Sequence, residues 1–203
     1  MQSKILLKRT LLIVASLGFA FFVANLFNFS PKNLTQGSSA SLVENVSTPS
    51  NQERANVGLP VSLKIPVISV DSVVIPVGFT SDGAMDVPKG PTEVAWFNLG
   101  PRPGERGSAV IAGHYGWKNN IPAVFDNLNK LRKGDKIFIE DEKGVVAAFI
   151  VREIRIYSKD EAAPDVFGSS DSKAHLNLIT CTGDWNKEEK TRSERLVVFT
   201  DKE

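Results

Sequence analysis

The sequence predicts a mainly β fold: a closed or nearly closed barrel of seven or eight short strands, behind one N-terminal transmembrane helix. Three observations predict it. Eleven prolines and fifteen glycines in 203 residues punctuate many short runs of Val, Ile and Phe, the texture of strands separated by turns. Helical periodicity is sparse. One uncharged stretch of 22 residues, between Arg9 and Lys32, is long enough at about 1.5 Å per residue to cross a hydrocarbon core of about 30 Å.

The elements follow in chain order. Residues 1–9 carry Lys4, Lys8 and Arg9 and are expected to stay in the cytoplasm, because basic flanks do. Residues 10–29 form the expected transmembrane signal anchor. A cleavable signal peptide is the rival reading, but the apolar run is long for one and no convincing A-x-A cleavage site follows it. Residues 30–58 are rich in Ser, Asn, Thr and Gln and hold no aromatic. Such a segment buries too little apolar surface to offset ordering, so a flexible stalk is expected. The texture changes at Leu59, and residues 59–203 are the expected barrel.

Within it, "LPVSLKIPVI" and "DSVVIPVGF" are β-branched and broken by proline, as edge strands or strand ends are. "GSAVIAGH" is an apolar run after a Gly-rich turn. "DKIFIED" and "GVVAAFIVREIRIYS" read as a hairpin about the turn residues "EKG". "AHLNLITC" and "ERLVVFT" are two more strands, joined by the polar segment "TGDWNKEEKTRSE", which reads as a loop. Short helical pieces are expected near Thr92–Leu99, Ile121–Leu131 and Lys159–Phe167.

Charge and composition exclude some functions. Twenty-four basic residues face 23 acidic ones, and no basic stripe interleaves with aromatics, so nucleic acid is not an expected partner. No metal and no cofactor is expected, since the acidic residues are scattered as on a solvated surface.

One thiol, Cys181, ends an apolar run. A single cysteine forms no internal bridge; it is a buried hydrophobe, an intermolecular link or a reactive thiol. Arg195 begins the next strand, 14 residues later. If the two strands pair antiparallel, Cys181 and Arg195 lie at the same end of neighbours. A cation there favours a thiolate and stabilises an oxyanion. Arg192, in the same segment, stays open as an alternative. Of two histidines, His114 ends an apolar strand between glycines, where a ligand can approach. His175 begins a strand among polar residues and reads as a solvated strand-start residue. Cys181 as nucleophile, His114 as acid/base and Arg195 as stabiliser suit acyl transfer. Trp117 and Trp185, near His114 and Cys181, either wall a peptide groove or are loop packing.

These segments resemble a family. "LITC", the polar segment and "RLVVFT" are similar to the sortase active-site strands, and "AGHYGW" resembles the sortase histidine segment. "MDVPKGPTEVAWFNLGPRPGERGSAVIAGH" with "AVFDNLNKLRKGDKI" looks most like class F sortases. The likeness spans about residues 59–203. It implies an eight-stranded sortase-type β-barrel with a few short helices. It also implies a cysteine transpeptidase that cleaves LPxTG-like sorting signals between Thr and Gly through a thioacyl-enzyme. By motif position it assigns catalysis to Cys181, His114 and Arg195, of which Arg195 rather than Arg192 is expected to be essential. It assigns shaping of the substrate site to Thr180. The implied partners are the sorting signals of secreted proteins, an amine acceptor from a cell-wall precursor or a pilin lysine, and the bacterial plasma membrane, with the catalytic domain outside. A reading from another class is a stalked barrel that binds wall peptide without catalysis.

Overall fold

The computed structural model describes residues 57–203. The expected cytoplasmic segment 1–9, the anchor 10–29 and all but the last two residues of the expected stalk 30–58 lie outside the described residues.

Eight strands close into a barrel: β1 (Pro60–Ile65), β2 (Val70–Val77), β3 (Val94–Phe97), β4 (Gly107–Gly113), β5 (Lys136–Asp141), β6 (Val146–Ser158), β7 (Ala174–Asn186) and β8 (Thr191–Lys202). Around the barrel the order is β1-β2-β3-β4-β7-β8-β6-β5. The pairs β2·β3 and β4·β7 are parallel, and the other pairs are antiparallel. Side chains alternate between two environments, as strand geometry requires. Leu176, Leu178, Leu196 and Val198 point into the interior core with residues from every other strand. Ile179, Val197 and Phe199 pack on the outer face with Val110, Phe97 and Val166. Each fully buried aliphatic side chain contributes roughly 1.5–3 kcal/mol of transfer free energy. The interior core is thus the main stabiliser.

Three expected helices are corrected. The segment near Thr92–Leu99 is strand β3. Its residues Val94, Ala95, Trp96 and Phe97 are all buried, so it lacks the alternation that marks a half-exposed strand. The segment near Ile121–Leu131 holds only a 3-10 turn at Leu128–Lys130. Its Phe125, Leu128 and Leu131, three apart, are fully buried and plug the barrel interior. Near Lys159–Phe167 only α1 (Pro164–Phe167) is helical. Pro164 sits in its first turn, and the residue before a proline is biased away from helix. Asp165 of α1 accepts hydrogen bonds from the Tyr157 hydroxyl at 2.8 Å and from Arg155 Nη1 at 2.6 Å. Asn177 of β7 holds it from beneath, donating from Nδ2 to the Val166 carbonyl at 2.7 Å.

The polar segment after Cys181 is not a loop. β7 and β8 continue through it as a ribbon, and only residues 187–190 turn. Cys181 and Arg195 are therefore mid-strand, and neither is the strand terminus expected. The solvated reading of His175 is also overturned. It is 3% exposed, with Nδ1 at 2.8 Å from Asp201 and Nε2 at 2.8 Å from Asp171. A buried ring needs such partners.

Candidate active site

Three adjoining strands, β4, β7 and β8, carry the site. The parallel β4·β7 ladder runs up to Ala112↔Ile179. One step further, the Thr180 hydroxyl donates to the Gly113 carbonyl at 2.7 Å. The next step brings His114 to the level of Cys181. Across the other edge of β7, Cys181 and Arg195 are direct antiparallel partners. Cys181 is thus flanked by Arg195, its partner on β8 at the usual strand spacing of about 4.8 Å, and by His114, the residue that follows the end of β4. Alternation puts all three on one face. Ile179 and Val197 lie outward, so the positions two further on β7 and two earlier on β8 lie outward as well. Val110 is outward on β4, and His114 is four residues on.

Each side chain has its own support. The His114 ring is half-buried, and its Nε2 lies 2.7 Å from the Pro88 carbonyl oxygen. A carbonyl only accepts, so Nε2 carries a proton and Nδ1 is left to exchange one. The Trp117 ring tilts against it, with centroids 4.7 Å apart. The His114 carbonyl accepts from the Phe125 N–H at 3.0 Å. Gly113 must be glycine here, because a Cβ would lie 2.5 Å from the Phe125 ring. Asp126 braces the segment after His114, accepting from the Gly116 N–H at 2.7 Å and the Ala123 N–H at 2.9 Å.

Arg195 folds back along its own strand. Its Nη1 donates to the Arg192 and Glu194 carbonyls at 2.9 and 2.8 Å, and Nη2 to the Thr191 hydroxyl at 3.1 Å. These bonds use three of the five N–H donors that a guanidinium has. Cys181 is a half-buried free thiol. Beside it runs an apolar groove of about 470 Å³, lined by Ala163, Val166, Phe167, Ile179, Val197 and Arg195. The segment 157–167 forms one wall, and β7 with β8 forms the floor.

The structure brings together Cys181, His114, Arg195 and Trp117. Thr180 is adjacent but 4% exposed, and its hydroxyl is spent on Gly113, so it acts on the site by holding β4 to β7. Trp185 stands apart. It is 54% exposed on the ribbon, with Arg192 as its cross-strand partner. Sequence reasoning missed Pro88, Asp126 and Tyr115. Only Tyr115 left a signal, as an aromatic next to the histidine. Among the described residues, no group of three or more His, Cys, Asp or Glu side chains gathers to hold a metal ion.

The Sortase domain family matches residues 63–203. No curated protein matches the chain. Among solved structures, sortase A from Corynebacterium diphtheriae is 22% identical with a TM-score of 0.56, over 71% of this chain and 60% of that one. A Clostridium perfringens sortase D5 transpeptidase is 25% identical with a TM-score of 0.53, over 72% and 79%. Streptococcus agalactiae sortase C1 is 25% identical with a TM-score of 0.55, over 70% and 66%. The chain spans about three fifths of the length of the C. diphtheriae chain.

Proposed function

The chain belongs to the sortase family, and we propose that it is a membrane-anchored cysteine transpeptidase acting on LPxTG-like sorting signals outside the cell. The observation that carries this reading is Cys181 between His114 and Arg195 on one barrel face, with an apolar groove that Ile179 and Arg195 help to line. The groove suits the apolar side chains of an extended peptide, which would enter along α1 with its scissile carbonyl at Cys181.

Cys181 first passes its thiol proton to His114 Nδ1; the thiolate then attacks the threonine carbonyl carbon, and the carbonyl becomes an oxyanion. Donors of Arg195 not engaged on β8 stabilise that charge. The C–N bond then breaks. His114 gives a proton from Nδ1 to the departing amine, and Cys181 keeps the acyl group as a thioester. An incoming amine attacks the thioester and loses its proton to His114. The C–S bond breaks, and the thiolate is restored. Nε2–H stays on the Pro88 carbonyl throughout, which keeps the ring aimed.

A cell-wall precursor amine is the acceptor in this reading. The likeness to a sortase C1 favours a second reading, in which a pilin lysine is the acceptor. The class F likeness rests on the quoted sequence segments. The basic flank before the uncharged stretch supports the outside location.

The test is an LPxTG peptide supplied without amine. Intact mass should show an acyl adduct that maps to Cys181. Cleavage by Cys181→Ala would overturn the mechanism. Adding an oligoglycine or a lysine-bearing pilin peptide then separates the two acceptors. Protease added to intact protoplasts should digest the domain, and full protection would overturn the topology.

A further inference from the structure

The chemistry proposed above takes place where the β4·β7 ladder has ended. The last rung is Ala112↔Ile179, and the last link is Thr180 to Gly113. His114 and Cys181 lie one step beyond. A second link is needed on the far side of that step if the two side chains are to keep their spacing. The structure assigns this link to Arg192.

Arg192 lies on β8, three residues before Arg195. Its Nη1 donates to the Gly183 carbonyl at 2.7 Å. Its guanidinium carbon sits over the Tyr115 ring, 4.8 Å from the centroid. Gly183 is two residues past Cys181, and Tyr115 is one past His114. A single side chain therefore grips the strand that bears the nucleophile and the segment that bears the base. The remaining Nη2 lies against Gly116, where a Cβ would stand 3.5 Å from it.

A bulge makes the grip possible. The β7·β8 register breaks between Thr182 and Trp185, and bulges of this kind re-aim backbone groups beside active sites. Gly183 adopts φ of +78°, which favours glycine. A Cβ there would lie 2.5 Å from Ser193 Oγ. The Asp184 N–H donates to that same Oγ at 3.0 Å. The bulge is thus locked with the Gly183 carbonyl facing Arg192. On the other side, Asp126 holds the Gly116 N–H, so the segment after His114 is clamped between Asp126 and Arg192.

Arg192 is accordingly a positioning residue for the Cys181–His114 pair, and its role rests on the transpeptidase reading. The sequence, which made Arg195 the essential arginine and left Arg192 dispensable, carries no trace of it. Losing a cation–π contact and a charge-assisted hydrogen bond should lower kcat about tenfold in Arg192→Ala, with peptide KM changed much less. Arg192→Lys should recover part of the loss, because an ammonium keeps the ring contact but not the planar fork. Tyr115→Leu should resemble Arg192→Ala, whereas Tyr115→Phe keeps the ring face and should retain most of what Tyr115→Leu loses. Arg192→Ala combined with Tyr115→Leu should be little worse than either alone, since both break one link.

The experiment is steady-state kinetics on these five variants and wild type, with thermal melts on each. A second readout is the pH profile of Cys181 alkylation by iodoacetamide. Looser spacing should shift this profile in the charge-neutral Tyr115→Leu as well as in Arg192→Ala, which separates spacing from the lost charge of Arg192. Alkylation needs no peptide, so it reports on Arg192 even if wild type forms no acyl adduct, the outcome that sinks the transpeptidase reading instead. Arg192→Ala with wild-type kcat and an unmoved alkylation profile would overturn the inference, and so would additive losses in the double variant.

Discussion

His114 and His175 differ in what their ring nitrogens meet. His114 spends Nε2 on the Pro88 carbonyl and keeps Nδ1 for exchange beside Cys181. His175 spends both nitrogens on Asp171 and Asp201. It also lies six residues before Cys181 on the same strand, roughly 20 Å away. His114→Ala should therefore cost on the order of 10²–10⁴ in kcat, the usual value of a general acid/base, while the thermal midpoint stays close to wild type. His175→Ala should do the reverse, losing roughly 1–3 kcal/mol of stability because two carboxylates lose their buried partner, with kcat retained. Melts and steady-state kinetics on both variants check this, and a catalytically dead, fully stable His175→Ala would mean that the roles are exchanged. Hairpin spacing made Cys181 and Arg195 legible as neighbours, and the end of an apolar run marked His114 as a candidate. The partners that aim them were not legible, because Pro88 lies 26 residues from His114 and arrives only by tertiary folding.

At the scale of elements, strands were readable where one face was buried. The run "AHLNLITC" alternates between the interior core and the outer face. Strand β3 was misread as helix because burial on both faces erases the period of two. The β7–β8 ribbon was misread as a loop because polar side chains on an exposed ribbon carry no apolar pattern. α1 has only one turn, so it depends on tethers rather than on its own helicity. One tether is Asn177 Nδ2 to the Val166 carbonyl, which is buried. Asn177→Ala leaves that carbonyl without a donor and should loosen the groove wall. The expected outcome is a peptide KM raised about fivefold, equivalent to roughly 1 kcal/mol. kcat should change less, because Asn177 is four residues from Cys181. A fall in kcat at unchanged KM would show that the wall at α1 does not bind the peptide.

For the whole molecule, the barrel closes through β1, and Asp141 fastens the chain where it enters. Its Oδ2 accepts from the Gly58 N–H at 2.9 Å, across 83 residues of sequence. Its Oδ1 accepts from the Lys143 and Val145 N–H groups, both at 2.9 Å. Gly58 and Val57 are thereby tied to the barrel; the Val57 carbonyl accepts from Arg102. Turn residues around "EKG" were legible as a hairpin, but the grip on Gly58 was not, since it joins segments far apart in the chain. Burial alone would push the Asp141 carboxyl up. The hydrogen bonds from Val145, Gly58 and Lys143 outweigh burial and hold it below its ordinary value of 3.8. A carboxyl lowered in the folded state binds its proton less readily there than in the unfolded chain. Its contribution to stability is therefore complete above the unfolded value and is lost as pH falls through the folded one. Asp171, lowered chiefly by its bond to His175, adds to the same acid sensitivity. Asp141→Asn cannot accept all three N–H bonds, because one oxygen becomes a donor. Its thermal midpoint should sit below wild type by a constant margin at neutral pH, and that margin should close in acid below about 3.8. Melts of the two proteins from neutral pH into that range decide the matter. Curves that stay parallel throughout would mean that the Asp141 charge does not fasten the entry to the barrel.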